Sequence, residues 1–272
     1  MTVWVNGVLA EPGAPVLRAD DHGVTVGDGI FEATKVVDGR PFALTRHLRR
    51  LERSARGMAL EVDLDVVRAG VEAVLAVDDL PHARLRITVT GGPSPYATTR
   101  GETGPTIIVA TSPLAEWPSH ADVAIVPWRR NEHSATAGLK TTSYADNVIA
   151  LRYAHERGAS EAILANTAGE LCEGTGSNVF VGIGGRLYTP PARTGCLLGI
   201  TRDLVVEWLG DVVEEATPVG VLATADEAFL TSSTRDVQPI RLVDGTALPA
   251  SPGPLTARAI EVFAARSMEG EP

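Results

Sequence analysis

The chain has 272 residues, 44% of them hydrophobic and 21% charged, and a formal net charge of −10. That length suffices for one large domain or two smaller ones with a sizeable core, and the balance is that of a soluble globular protein. The acidic excess argues against nucleic-acid binding, which normally needs a basic face, and no apolar run reaches the length of a membrane span. Two cysteines, Cys172 and Cys196, are too few for a disulfide framework and fit a reducing compartment. With no basic-then-apolar leader pattern at the N-terminus, the expectation is a cytoplasmic protein.

Thr2 to Leu9 reads as a hairpin turning at Asn6-Gly7. The stretch from Asp20 to Gly29 is rich in turn residues and leads into the run Phe31 to Val37. Asp38-Gly39 then marks a second hairpin. Asp20, Asp21, His22 and Asp28 crowd that stretch, but with no second cluster elsewhere they are read as turn caps and not as metal ligands. Thr45 to Met58 has helical spacing, with Thr45 as N-cap and Leu48, Leu51 and Ala55 as the buried stripe. Asp63 to Val77 is a second helix. Along the strand Ala83 to Gly91, alternation sets Leu85, Ile87 and Val89 against Arg84, Arg86 and Thr88.

Thr106 to Thr111 reads as a buried strand. Residues 112–120 hold two prolines and no periodicity, so they form a linker between an N-terminal domain, 1–115, and a C-terminal domain, 121–272. Arg129, Arg130 and His133 are placed in a solvated loop. After Lys140 comes a helix with Tyr144, Val148, Leu151 and His155 at helical spacing, stopped at Gly158. A short buried strand to Asn166 follows, then a corner at Ala168-Gly169 and a glycine-broken loop that carries Glu173. The strand from Asn178 turns at Gly184-Gly185. Gly199-Ile200-Thr201 opens a helix to Leu209, a position suited to an anion. A run of hydroxyls, Thr231 to Thr234, separates two further strands; Asp244-Gly245 makes a hairpin, and Leu255 to Arg266 a terminal helix.

A lysine amine and a carboxylate on the two sides of one helix–strand–hairpin unit are what pyridoxal phosphate needs. The amine carries the aldehyde, and the acid holds the ring nitrogen protonated so that the ring draws electrons. By residue type alone Lys140 is an ordinary solvated charge. The wording around it says more: Lys-Thr-Thr-Ser-Tyr-Ala-Asp-Asn (140–147) and Leu-Cys-Glu-Gly-Thr-Gly-Ser-Asn-Val-Phe (171–180) resemble the lysine and glutamate segments of the class IV aminotransferases. That family includes D-amino-acid and branched-chain aminotransferases, (R)-amine transaminases and aminodeoxychorismate lyases.

The resemblance implies an α+β fold of type IV, with a smaller N-terminal α/β domain and a larger C-terminal domain around a mixed, barrel-like sheet. It implies pyridoxal 5'-phosphate as cofactor, Lys140 as the Schiff-base lysine and Glu173 as the partner of the pyridine nitrogen. His-Leu-Arg-Arg-Leu (47–51) resembles a motif whose arginine, here Arg50, grips the cofactor phosphate. Leu-Leu-Gly-Ile-Thr-Arg (197–202) assigns Ile200 and Thr201 to a second phosphate contact, and Ser233 with Thr234 takes the place of a third. Gly-Asp-Gly-Ile-Phe-Glu (27–32) brings Phe31 to the pocket; Arg86 and Tyr96 are further substrate-side residues, Arg86 for an anionic substrate. The loop Gly91 to Tyr96 departs from the family by lacking the arginines that trap carboxylates in D-amino-acid enzymes and lyases. The resemblance thus implies a transaminase that moves an amino group from a D-amino acid or (R)-amine to a 2-oxo acid. Alternatives are a lyase that releases pyruvate and p-aminobenzoate from aminodeoxychorismate, a branched-chain L-amino-acid aminotransferase, or a non-enzymatic binding protein on the same scaffold. A homodimer is the family's assembly.

Overall fold

The structure is a computed structural model and describes residues 1–11, 13–78 and 80–272. The chain divides into two compact units, one of residues 1–115, 139–143 and 271, the other of residues 116–138, 144–270 and 272. Lys140, which follows the linker in sequence, therefore belongs to the first unit.

In the first unit, strands β1 (Val3–Val5) and β2 (Val8–Leu9) form the first hairpin, with Asn6 and Gly7 at the positive φ its turn requires. A short helix α1 (His22–Thr25) is capped by the Asp21 side chain, which accepts from the Gly23 N–H. Strands β3 (Gly29–Val37), β4 (Arg40–Pro41), β5 (His82–Thr90) and β6 (Thr106–Pro113) complete a six-stranded antiparallel sheet, order β2-β1-β6-β5-β3-β4. Helices α2 (Leu44–Gly57) and α3 (Leu64–Val77) bury Leu48, Leu51, Val67 and Val71 against the sheet residues Ile30, Leu85, Ile87 and Val89. Each such fully buried aliphatic side chain contributes roughly 2 kcal/mol. Thr45 does not cap α2. Ala43, in the left-handed region, precedes the helix, and Thr45 lies within its first turn, where its N–H donates to Glu271.

The second unit is built on a mixed nine-stranded sheet. Its strands are β7 (Ala121–Arg130), β8 (Glu161–Asn166), β9 (Leu171–Gly174), β10 (Asn178–Ile183), β11 (Arg186–Thr189), β12 (Val213–Glu214), β13 (Glu227–Ser232), β14 (Asp236–Val243) and β15 (Thr246–Ala247). The order is β12-β11-β10-β13-β14-β7-β8-β9, with β15 on β14. Helix α4 (Ala145–His155) lies on β7 and β8, while α5 (Ile200–Leu209) and α6 (Pro254–Arg266) pack together beside β13. The spacing in α4 misjudged its inner face. Asn147, Ala150 and Ala154 are buried, whereas Val148 and Ile149 are exposed, because small alanines let the helix backbone sit close to β7 and β8. Glu173 lies on β9 and not in a loop, opposite Leu164 of β8. Among the described residues, no helix is long and apolar enough to cross a membrane.

Candidate active site

In the first unit, residues 140–142 run beside the start of β3. The Phe31 N–H donates to the Lys140 carbonyl, the Thr142 N–H to the Gly29 carbonyl, and the Lys140 N–H to the Ser54 hydroxyl. Gly29 is required here: a Cβ would stand 2.8 Å from the Val89 carbonyl oxygen and 2.9 Å from Thr142 Oγ1, so any side chain would part the two segments. Alternation along β3 turns Phe31 away from the core. Its ring, 6% exposed, takes Lys140 Nζ at 4.3 Å and the Arg86 guanidinium at 3.9 Å from its centroid. Arg86 Nε donates to Thr88 Oγ1 at 3.1 Å, fixing the fork against the ring. Lys140, Phe31 and Arg86 thus share one face of the sheet. Tyr96 is not part of that group; it is 74% exposed, with positive φ.

Arg50 sits on the core side. Its Nε and Nη2 fork onto both oxygens of Glu32 at 2.8 and 2.6 Å, and His47 Nδ1 lies 2.7 Å from Glu32 Oε2. Burial would push the Glu32 carboxyl up. The Arg50 charge, with the hydrogen bonds from Arg50 and His47, outweighs that and holds it at about 2, against an ordinary 4.5. Burial pushes His47 down, so the imidazole is neutral and donates through Nδ1. Nearby, the turn residues read as caps form another network: Arg100 forks onto Asp28 at 2.6 and 2.7 Å, and His22 Nδ1 lies 3.0 Å from Asp28 Oδ2.

In the second unit, Glu173 has 12% of its side chain exposed. Oε2 accepts from the Leu197 N–H at 2.9 Å, and Oε1 lies 3.0 Å from Arg130 Nε. The Nε–H points off the line to that oxygen, so the contact is an ion pair and not an aligned hydrogen bond. Arg130 Nη2 donates to Asn147 Oδ1, and Asn147 Nδ2 to the Thr175 carbonyl. Sequence reasoning put Arg130 in a solvated loop. Its position at the end of a strand hid the ion pair, while Arg129 and His133 are exposed.

Helix α5 begins at Ile200 with Gly199 as N-cap and no side-chain cap, leaving its first N–H groups to another acceptor. A Cβ on Gly199 would come 2.1 Å from Asn178 Oδ1, and Asn178 Nδ2 donates to the Leu197 carbonyl, tying this loop to β10. The Thr201 hydroxyl is buried without a partner, and so is the Ser232 hydroxyl on β13, the strand α5 packs against. Such groups cost about 1–3 kcal/mol each unless an acceptor arrives. Ser233 and Thr234 lie in the turn that follows, partly buried. The hydroxyl run was legible in sequence, but its orphaned members, Thr231 and Ser232, were not. Hydroxyl and helix-start donors suit a phosphate dianion, and a buried carboxylate suits a protonated ring nitrogen. The residues fit pyridoxal phosphate.

Comparison with known proteins agrees. The chain is 30% identical over 253 residues to the aminodeoxychorismate lyase of Bacillus subtilis, covering 89% of this chain and 86% of that one. It is 30% identical over 287 residues to the D-alanine aminotransferase of Staphylococcus haemolyticus, covering 96% of each. The branched-chain amino acid aminotransferase of Escherichia coli superposes with a TM-score of 0.89 at 25% identity, over 97% of this chain and 93% of that one. The sequence profile described as Amino-transferase class IV matches residues 29–243, so the chain belongs to the class IV aminotransferases, enzymes of fold type IV that depend on pyridoxal 5'-phosphate.

Proposed function

We propose that this protein is a transaminase that takes a D-amino acid or (R)-amine as donor and a 2-oxo acid as acceptor. Lys140 is the amine that attaches the cofactor. Once displaced, its Nζ takes the α-proton from the donor and returns it on the cofactor side, the general base and acid of the reaction. The cofactor supplies an electron sink for the charge left at Cα. Glu173, backed by Arg130 and Leu197, holds the proton on the ring nitrogen; Thr201 and Ser232, with Ser233, Thr234 and Arg50, hold the phosphate. Phe31 and Arg86 border the reacting amine.

The observation that carries the choice of reaction is the Gly91-to-Tyr96 loop. It presents two glycines and an outward tyrosine where D-amino-acid aminotransferases and lyases of the family commonly use arginines, so it is short of the bulk and charge that specialise those enzymes. Such a loop lacks the cations to fix a second carboxylate, which suits small donors. The lyase is the second reading, because the B. subtilis lyase and the S. haemolyticus transaminase are equally similar to this chain. The test is a half-reaction with no acceptor present. Stoichiometric pyruvate from D-alanine, with the cofactor converted to its amine form, is the result expected. Release of p-aminobenzoate from aminodeoxychorismate, without that conversion, would overturn it.

A further inference from the structure

The second unit holds a buried ion pair outside the roles above. Glu161 opens β8 and is 1% exposed. Its Oε2 accepts from Arg235 Nη2 and from the Ser177 hydroxyl, both at 3.0 Å. Its Oε1 accepts from the Thr175 N–H at 3.1 Å and from the Thr175 hydroxyl. Arg235 belongs to the turn that carries Ser233 and Thr234, and its guanidinium stacks 4.2 Å from the Trp117 ring centroid. Thr175 stands two residues after Glu173; its carbonyl accepts from Asn147 Nδ2, and Asn147 Oδ1 accepts from Arg130, the partner of Glu173. One carboxylate therefore ties two segments remote in sequence, one bearing the phosphate hydroxyls and the other the ring-nitrogen acid.

We propose that Glu161 and Arg235 are positioning residues that fix these two segments relative to each other, so that phosphate and ring nitrogen are gripped together. This rests on the cofactor roles proposed above. The Arg235 arm holds the phosphate turn. The Thr175 arm holds the strand of Glu173.

The test compares the affinity of cofactor-stripped protein for pyridoxal phosphate and for pyridoxal, which lacks the phosphate. Arg235→Met should weaken pyridoxal phosphate about ten-fold and leave pyridoxal nearly unchanged, collapsing the ratio between them. Thr175→Val should keep the ratio and move the pH dependence of the bound cofactor's absorbance. Because Arg235→Met strands a buried carboxylate, the paired variant Glu161→Gln with Arg235→Met, which leaves no unpaired charge, is measured beside it. It should fold with a near-native melting temperature and still show the collapsed ratio. A native ratio in that variant would overturn the proposal and leave the pair a core contact. If the unaltered protein binds no pyridoxal phosphate, the functional reading fails first, and the two failures are distinct.

Discussion

Arg50→Leu tests the cluster of Glu32, His47 and Arg50 most directly. Glu32 is fully buried and held at about 2 against 4.5 in an ordinary setting. At about 1.4 kcal/mol per pH unit, that difference is worth roughly 3 kcal/mol to the folded state. Because the folded value lies below the unfolded one, this stability is present above pH about 4.5 and is lost as pH falls towards 2. Removing Arg50 leaves a buried carboxylate whose remaining charged-group partner is a neutral imidazole. The cost is about 3–5 kcal/mol at pH 7. The sign of the pH dependence then inverts: with the folded carboxyl raised above its unfolded value, this site gains stability on acidification from pH 7. Urea unfolding of cofactor-stripped protein at several pH values reads both effects. Glu32→Gln combined with Arg50→Leu should recover most of the loss. It should not recover phosphate affinity, since that asks Arg50 for a contact with a ligand. A single variant less than about 1 kcal/mol below the parent would refute the reasoning, as would a pH profile that keeps its original slope.

Lys140→Ala should abolish turnover and the visible absorbance of bound cofactor, and borohydride should no longer fix label to the protein. Gly199→Ala drives a methyl group into Asn178 Oδ1 and should weaken pyridoxal phosphate by about ten-fold or more in a fluorescence titration, with little change for pyridoxal. Glu227 accepts from the Leu255 and Thr256 N–H groups at the start of α6, so Glu227→Ala should cost about 1–2 kcal/mol and lower the melting temperature by roughly 2–8 °C. Asp28 and the Ala97 carbonyl raise the His22 pKa, so its contribution is complete below pH about 6.5 and fades as pH rises through the raised value. The stability gap between parent and His22→Gln should therefore be larger at pH 6 than at pH 9, as read by thermal melts.

What the sequence made legible follows from what is local. Hairpins at Asn6-Gly7, Asp38-Gly39 and Asp244-Gly245 were readable because positive φ is a property of a few neighbouring residues. The two faces of β5 were readable because alternation needs no partner. Lys140 and Glu173 stood out only through the wording around each, since neither shows its surroundings in its own segment. The misses were relations across distance. Glu32 sits inside a motif credited to Phe31, yet its partners come from α2 and its side chain turns the other way, a consequence of one step along a strand. Arg130 follows Arg129 with nothing in the wording to tell them apart. One is exposed, and the other reaches Glu173 on β9 and Asn147 on α4, because successive residues of a strand point to opposite sides. Ser232 differs from Ser233 by one position, and the last two rungs of β13 hold the buried hydroxyls without a partner, those of Thr231 and Ser232, while Ser233 falls in the turn beyond. A carboxylate or hydroxyl becomes a functional group here through the charge or orphaned donor that tertiary structure sets beside it. Variants of Arg130, Glu161 and Arg235 are therefore sharper probes of this site than further variants of the residues its motifs already name.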